Sequence, residues 1–118
     1  MGVVGVKNAE HYRWGDGCDG WHLLKMEGAS VIQEKVPPGK SEIRHVHSMS
    51  EQFFYILEGS AIIETEGNTT LLHRGEGMHI RAGEAHQFRN ESKSDVEFLV
   101  ISVPPSHGDR QDLPSTAT

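Results

Sequence analysis

Sulfur and aromatic rings are scarce in this chain, and so is positive charge; each scarcity excludes something. Cys18 is the only cysteine among 118 residues, so no intrachain disulfide forms. A single small thiol without a cluster of basic neighbours reads as a packing residue, not a nucleophile. It suits a reducing cytoplasm, where disulfides are rare. In that compartment Asn68-Thr69-Thr70 and Asn90-Glu91-Ser92 are chance matches to a glycosylation pattern. No apolar run approaches the ~18 residues of a membrane-spanning helix. The opening Met1-Gly2-Val3-Val4-Gly5-Val6 lacks the charged lead and long apolar stretch of a secretory signal. Eleven basic residues are scattered along a chain of net charge −6, which argues against a nucleic-acid footprint.

What the chain does have is punctuation. Turn signals recur at Gly28, Pro37-Pro38-Gly39, Gly59, Gly67-Asn68, Gly75, Gly77 and Gly83, and again from Ser92 to Asp95. The runs between them are rich in Val, Ile, Phe, Tyr and Thr. Strands are expected near 21–26, 29–36, 42–48, 52–58, 60–66, 70–73, 77–81, 86–91 and 95–103. No long stretch shows a helical period, so an all-β sandwich or barrel is expected, with a tight hairpin at Gly67-Asn68. The length fits one domain. Residues 1–20 read as an N-terminal arm and loop, 21–104 as the barrel domain and 105–118 as a polar C-terminal tail with a mobile end. Trp14 and Trp21 flank the Gly- and Asp-rich loop 15–20 and are expected to close a barrel end or meet a partner subunit.

The most informative residues are histidines. His45 and His47 sit two apart on an expected strand, so both imidazoles face one side and can share one ion. His86 begins another strand. These segments resemble the two motifs of the cupin superfamily. Gly39, His45, His47 and Gly59 stand at positions of the first motif, and Gly75, Gly83, His86 and Asn90 at positions of the second. The resemblance implies a double-stranded β-helix, a small jelly-roll barrel. It also implies one divalent transition metal per chain (iron, manganese, nickel, copper or zinc), a small-molecule ligand and a homodimer.

Two positions depart from the motifs. Arg81 replaces the proline of the second motif and reads as a solvated side chain, with an anion contact at the barrel mouth as the other option. In the first motif, counting back from Gly59 puts Gln52 at the carboxylate position, whereas counting on from His47 selects Glu51. Strand neighbours face opposite sides, so only one of the two points inward. Gln52 is preferred, because the strand from Phe53 to Glu58 fixes its distance to Gly59 while the loop Ser48-Met49-Ser50 absorbs one residue. The implied metal ligands are therefore His45, His47, Gln52 and His86, with Glu51 as the alternative to Gln52.

Four neutral ligands leave the full charge on a divalent ion, which favours an enolate, carboxylate, phenolate or hydroxide. The resulting expectation is a metal-dependent enzyme: a dioxygenase, or an isomerase or lyase acting on a small anionic or sugar-like substrate. The alternative is a non-catalytic module that binds a sugar or organic acid. Glu51, Glu58, Tyr55 and His79 are candidate bases, and His79 is also a candidate for the cavity wall. His11, His22, His73 and His107 are expected at the surface. Phe54, Ile56 and Phe88 share the inward parity, and Asn90 reads as structural. Phe53, Tyr55 and Leu57 face outward and need a cover, which agrees with a dimer.

Overall fold

The structure, a computed structural model, describes residues 2–115. They form eleven strands and no helix. The first is β1, Glu10–Trp14, followed by β2, Cys18–Lys25, and β3, Ser30–Val36. After a long loop come β4, His45–Val46, β5, Glu51–Glu58, β6, Ser60–Thr65, and β7, Asn68–His73. Then follow β8, Gly77–Ile80, β9, His86–Arg89, β10, Val96–Val103, and β11, Gln111–Asp112. The strands form a six-stranded sheet, β1-β2-β3-β10-β5-β8, and a five-stranded sheet, β11-β4-β9-β6-β7. Every pairing is antiparallel. This is the double-stranded β-helix expected from the sequence.

Alternation within strands builds the core. In β10, Val96, Phe98 and Val100 are buried, while Glu97, Leu99 and Ile101 look outward. In β5 the inward set is Gln52, Phe54 and Ile56. Phe54, Phe88 and Phe98 stack between the sheets, with the Phe88 and Phe98 ring centroids 3.9 Å apart. Cys18 belongs to this core, and burial pushes its thiol up to about 11. Asn90 is also buried; its amide donates to the Val36 and Ser94 carbonyls, so its role is structural.

Two turns show why glycine stands where it does. Gly59 joins β5 to β6 at φ 84°, and a Cβ there would lie 2.6 Å from the Asp95 carbonyl oxygen. The β6–β7 hairpin turns on Glu66 and Gly67, both at positive φ, and Thr65 pairs with Asn68. The expected Gly67-Asn68 turn is thus one residue early in the structure. Two strands have no counterpart in the sequence reading. β1 lies within the expected arm, and β11 lies within the expected tail, whose residues 116–118 are outside the described range.

Candidate metal centre

Three histidines converge at one end of the space between the sheets. His45 on β4 pairs directly with His86 on β9, and His47 follows two residues on. All three are buried, and one ring nitrogen of each lies within 4.8 Å of the others. Each ring has its Nδ1 against a backbone carbonyl: His45 on Ile43 at 2.7 Å, His86 on Glu84 at 3.0 Å, and His47 on Asp109. A ring that donates from Nδ1 keeps Nε2 as a lone pair. Consistent with this, His86 Nε2 is buried and has no hydrogen-bond partner. Burial, with His86, Arg110 and His47 nearby, pushes the His45 imidazole down to about 3, and burial also lowers His86. Both are therefore neutral near pH 7, as metal ligation requires.

Gln52 joins the histidines and Glu51 does not. Gln52 is buried and lines the same cavity as His45 and His47. Its Nε2 donates to Ser102 Oγ at 3.1 Å, leaving a buried Oε1 with no partner. Glu51 faces the opposite side, as parity demands. It accepts from His79 Nε2 at 2.6 Å and from the Ala82 N–H at 3.0 Å. That places His79 outside the cavity. Arg81 is exposed, and Phe88 lies in the core.

The cavity holds groups that the sequence reading missed. Its volume is about 310 Å³, and Glu34, Glu42, Tyr12 and Arg110 line it beside the histidines. Tyr12 Oη donates to Glu34 Oε2 at 3.1 Å. The register explains the contact: Tyr12, Gly20 and Glu34 are neighbours across β1, β2 and β3. The Tyr12 ring occupies the space above Gly20, where a Cβ would lie 2.2 Å from Tyr12 Cζ. Burial pushes Glu34 up to about 7, against the pull of the Tyr12 hydrogen bond and Arg110. Burial, then the charge of Glu34, pushes Glu42 up to about 8. Trp14 also lines this cavity and packs on the core, so it does not merely close an end; Trp21 lies against His11 instead. His107, although exposed, sits on the rim.

A signal for Glu34 existed: it alternates with Ile32 and Val36, so a carboxylate stood at an inward position. No comparable signal marked Glu42, which precedes β4 in a loop. A second cavity of about 600 Å³ shares Tyr12, Ile32, Ser106 and His107 with the first. Together they reach the size usual for small-molecule sites.

A family model for the cupin domain matches residues 32–102, which includes all three histidines and both motif glycine pairs. The chain belongs to the cupin domain family. This cupin is 30% identical over 87 residues to the oxalate-binding protein of Thermotoga maritima, covering 70% of this chain and 72% of that protein. It is 27% identical over 89 residues to the tetracenomycin polyketide synthase protein TcmJ of Streptomyces glaucescens, covering 70% of this chain. It spans 60% of TcmJ, less than two thirds of that relative. Among solved structures, the polyketide cyclase RemF of Streptomyces resistomycificus superposes with a TM-score of 0.80 at 22% identity. That match covers 99% of this cupin and 88% of the cyclase, and at this identity it carries the fold alone. The three-histidine group can hold a metal ion, and its free nitrogens and the orphaned Gln52 oxygen fit one.

Proposed function

We propose that this cupin is a metal-dependent enzyme of the isomerase or lyase class, moving a proton on a small anionic keto compound. The ligands are His45, His47, His86 and Gln52. The observation that carries the reading is one cavity whose wall holds Glu34 and Glu42 beside His45, His47 and Gln52, with His86 grouped behind them. A divalent transition metal held there supplies a Lewis acid for a carbonyl or enolate oxygen. Glu34 takes or returns the substrate proton, and the Tyr12 hydroxyl holds its carboxyl in place. Glu42 Oε1 accepts the Phe88 N–H at 3.0 Å, which fixes that carboxyl on the opposite strand. Arg110 adds a positive charge at the wall for an anionic group.

The test loads the protein with Co(II), Mn(II), Ni(II), Zn(II) or Fe(II) and follows C–H exchange of pyruvate and dihydroxyacetone phosphate in D₂O by NMR. Metal-dependent exchange without oxygen uptake, lost in Glu34→Gln, supports the proposal. Oxygen uptake with Fe(II) would turn the reading to a dioxygenase. Saturable oxalate binding without exchange would turn it to a binding module, as the name of the Thermotoga maritima relative would have it. Ligand assignment is read separately by Co(II) titration. His47→Ala abolishes binding, Gln52→Ala weakens it roughly 10-fold or more, and Glu51→Gln leaves it unchanged. Loss of metal in Glu51→Gln alone would reverse the register.

We also infer a homodimer through the outer face of the six-stranded sheet. Phe53 is 39% exposed there, next to Ile101 in the sheet and near Leu99 and Tyr55. These apolar, uncharged neighbours are self-complementary across a two-fold axis. Sedimentation velocity checks this: the wild type runs as a dimer and Phe53→Glu as a monomer.

A further inference from the structure

We propose that residues 104–113 form a latch coupled to the metal, with Asp109 as the residue that positions His47. The inference rests on the metal reading given above. Asp109 is tied almost wholly to the segment that carries two of the three histidines. Its carboxylate accepts from Ser48 N at 3.1 Å, Ser48 Oγ at 2.7 Å, Met49 N at 2.9 Å and Ser50 N at 2.8 Å. Its carbonyl accepts from His47 Nδ1. One residue thus shapes the loop after His47 and fixes the ring that the loop presents.

The remaining anchors of this segment lead to the same place. Ser50 Oγ donates to the Pro104 carbonyl at 2.6 Å, and Leu113 N donates to the Arg44 carbonyl at 2.7 Å. Between these points β11 pairs with β4, setting Asp112 opposite His45. No residue from 104 to 113 is fully buried, so no apolar core holds the segment down. Segments held by exposed polar contacts open at low cost. The latch also finishes the cavity, because Ser106, His107, Gly108 and Arg110 belong to its wall.

Linkage then runs both ways. A closed latch holds His47 with its Nε2 lone pair free, which tightens metal binding. A bound metal holds the His47 ring, which keeps its Nδ1 on Asp109 and favours the closed latch. Loading the cage and covering the cavity become one step.

The experiment compares wild type, Asp109→Ala and Asp109→Asn, first by Co(II) titration in the visible and by Zn(II) competition against a chelator. The Asn variant keeps the size but cannot accept the three N–H groups of residues 48–50 together. Affinity is expected to fall roughly 10- to 100-fold in the Ala variant and less in the Asn variant. The far-ultraviolet spectra of the metal-free proteins should match, which shows the barrel intact in all three. In the wild type, hydrogen exchange of residues 106–113 should slow when Zn(II) is added, and in His47→Ala it should not. Equal affinities with the fold intact, or latch exchange that ignores Zn(II), would overturn the latch alone. A wild type that binds neither metal would overturn the cage reading, and the latch with it.

Discussion

Single residues decide what this cavity contains. Gly20 is the clearest case, since the Tyr12 ring lies where its side chain would be and so reaches Glu34. Burial and the neighbouring Glu34 hold the Tyr12 phenol well above its ordinary value. Gly20→Ala should push the ring off Glu34, and in a Tyr55→Phe background the ultraviolet titration of Tyr12 should then move to lower pH. An unchanged titration would mean that Tyr12 does not depend on this gap. At this scale the sequence was partly legible. His45 and His47 share a face by strand parity, and the resemblance to the two cupin motifs is what adds His86 and Gln52 to them. Tyr12 and Glu34 meet only because three strands align in register, a relation between residues 22 positions apart that no local pattern carries.

Strands were easier to read than their ends. The long strands β5 and β10 announce themselves through runs of β-branched and aromatic residues, and β3 through Val31, Ile32 and Val36 bounded by turn signals. β1 and β11 do not: Glu10–Trp14 carries no aliphatic residue and sits beside a Gly- and Asp-rich loop, and β11 is two polar residues, Gln111 and Asp112. Their pairing comes from neighbours already in place, so tertiary context overrides weak propensity. β9 is the opposite case, four residues whose His86, Gln87 and Phe88 are all buried. It carries a cage residue and a core residue on one face. Phe88→Ala should cost about 3–5 kcal/mol in urea unfolding, because the cavity left beside Phe54 and Phe98 cannot fully collapse. The same variant should loosen His86 two residues away, read as weaker Co(II) binding. A cost below about 1 kcal/mol would show that the aromatic stack repacks.

For the whole molecule, the jelly-roll barrel was legible because two motifs in order specify it, while the charge inside its cavity was not. That charge sets the pH response of the metal-free protein. His45 and His86 have lowered values, so their contribution to stability is present above pH 6.5 and lost as pH falls below it. Glu34 and Glu42 are raised from 4.5 to about 7 and about 8, so the folded state holds more protons than the unfolded chain across that span. Stability from these carboxyls is full at low pH and is lost as pH rises through 7 and 8. The two pairs oppose one another below 6.5, and above it only the carboxyls titrate. The melting temperature of chelator-treated protein should therefore fall from pH 6.5 to pH 8; a rise would show that the two carboxyls are ionised in the fold. Cys18 has a different consequence at this scale. The molecule's one thiol is sealed in the core and held mostly protonated. The native protein should therefore be silent to maleimides, and His107→Cys would give a unique handle for a fluorophore, with no background to subtract.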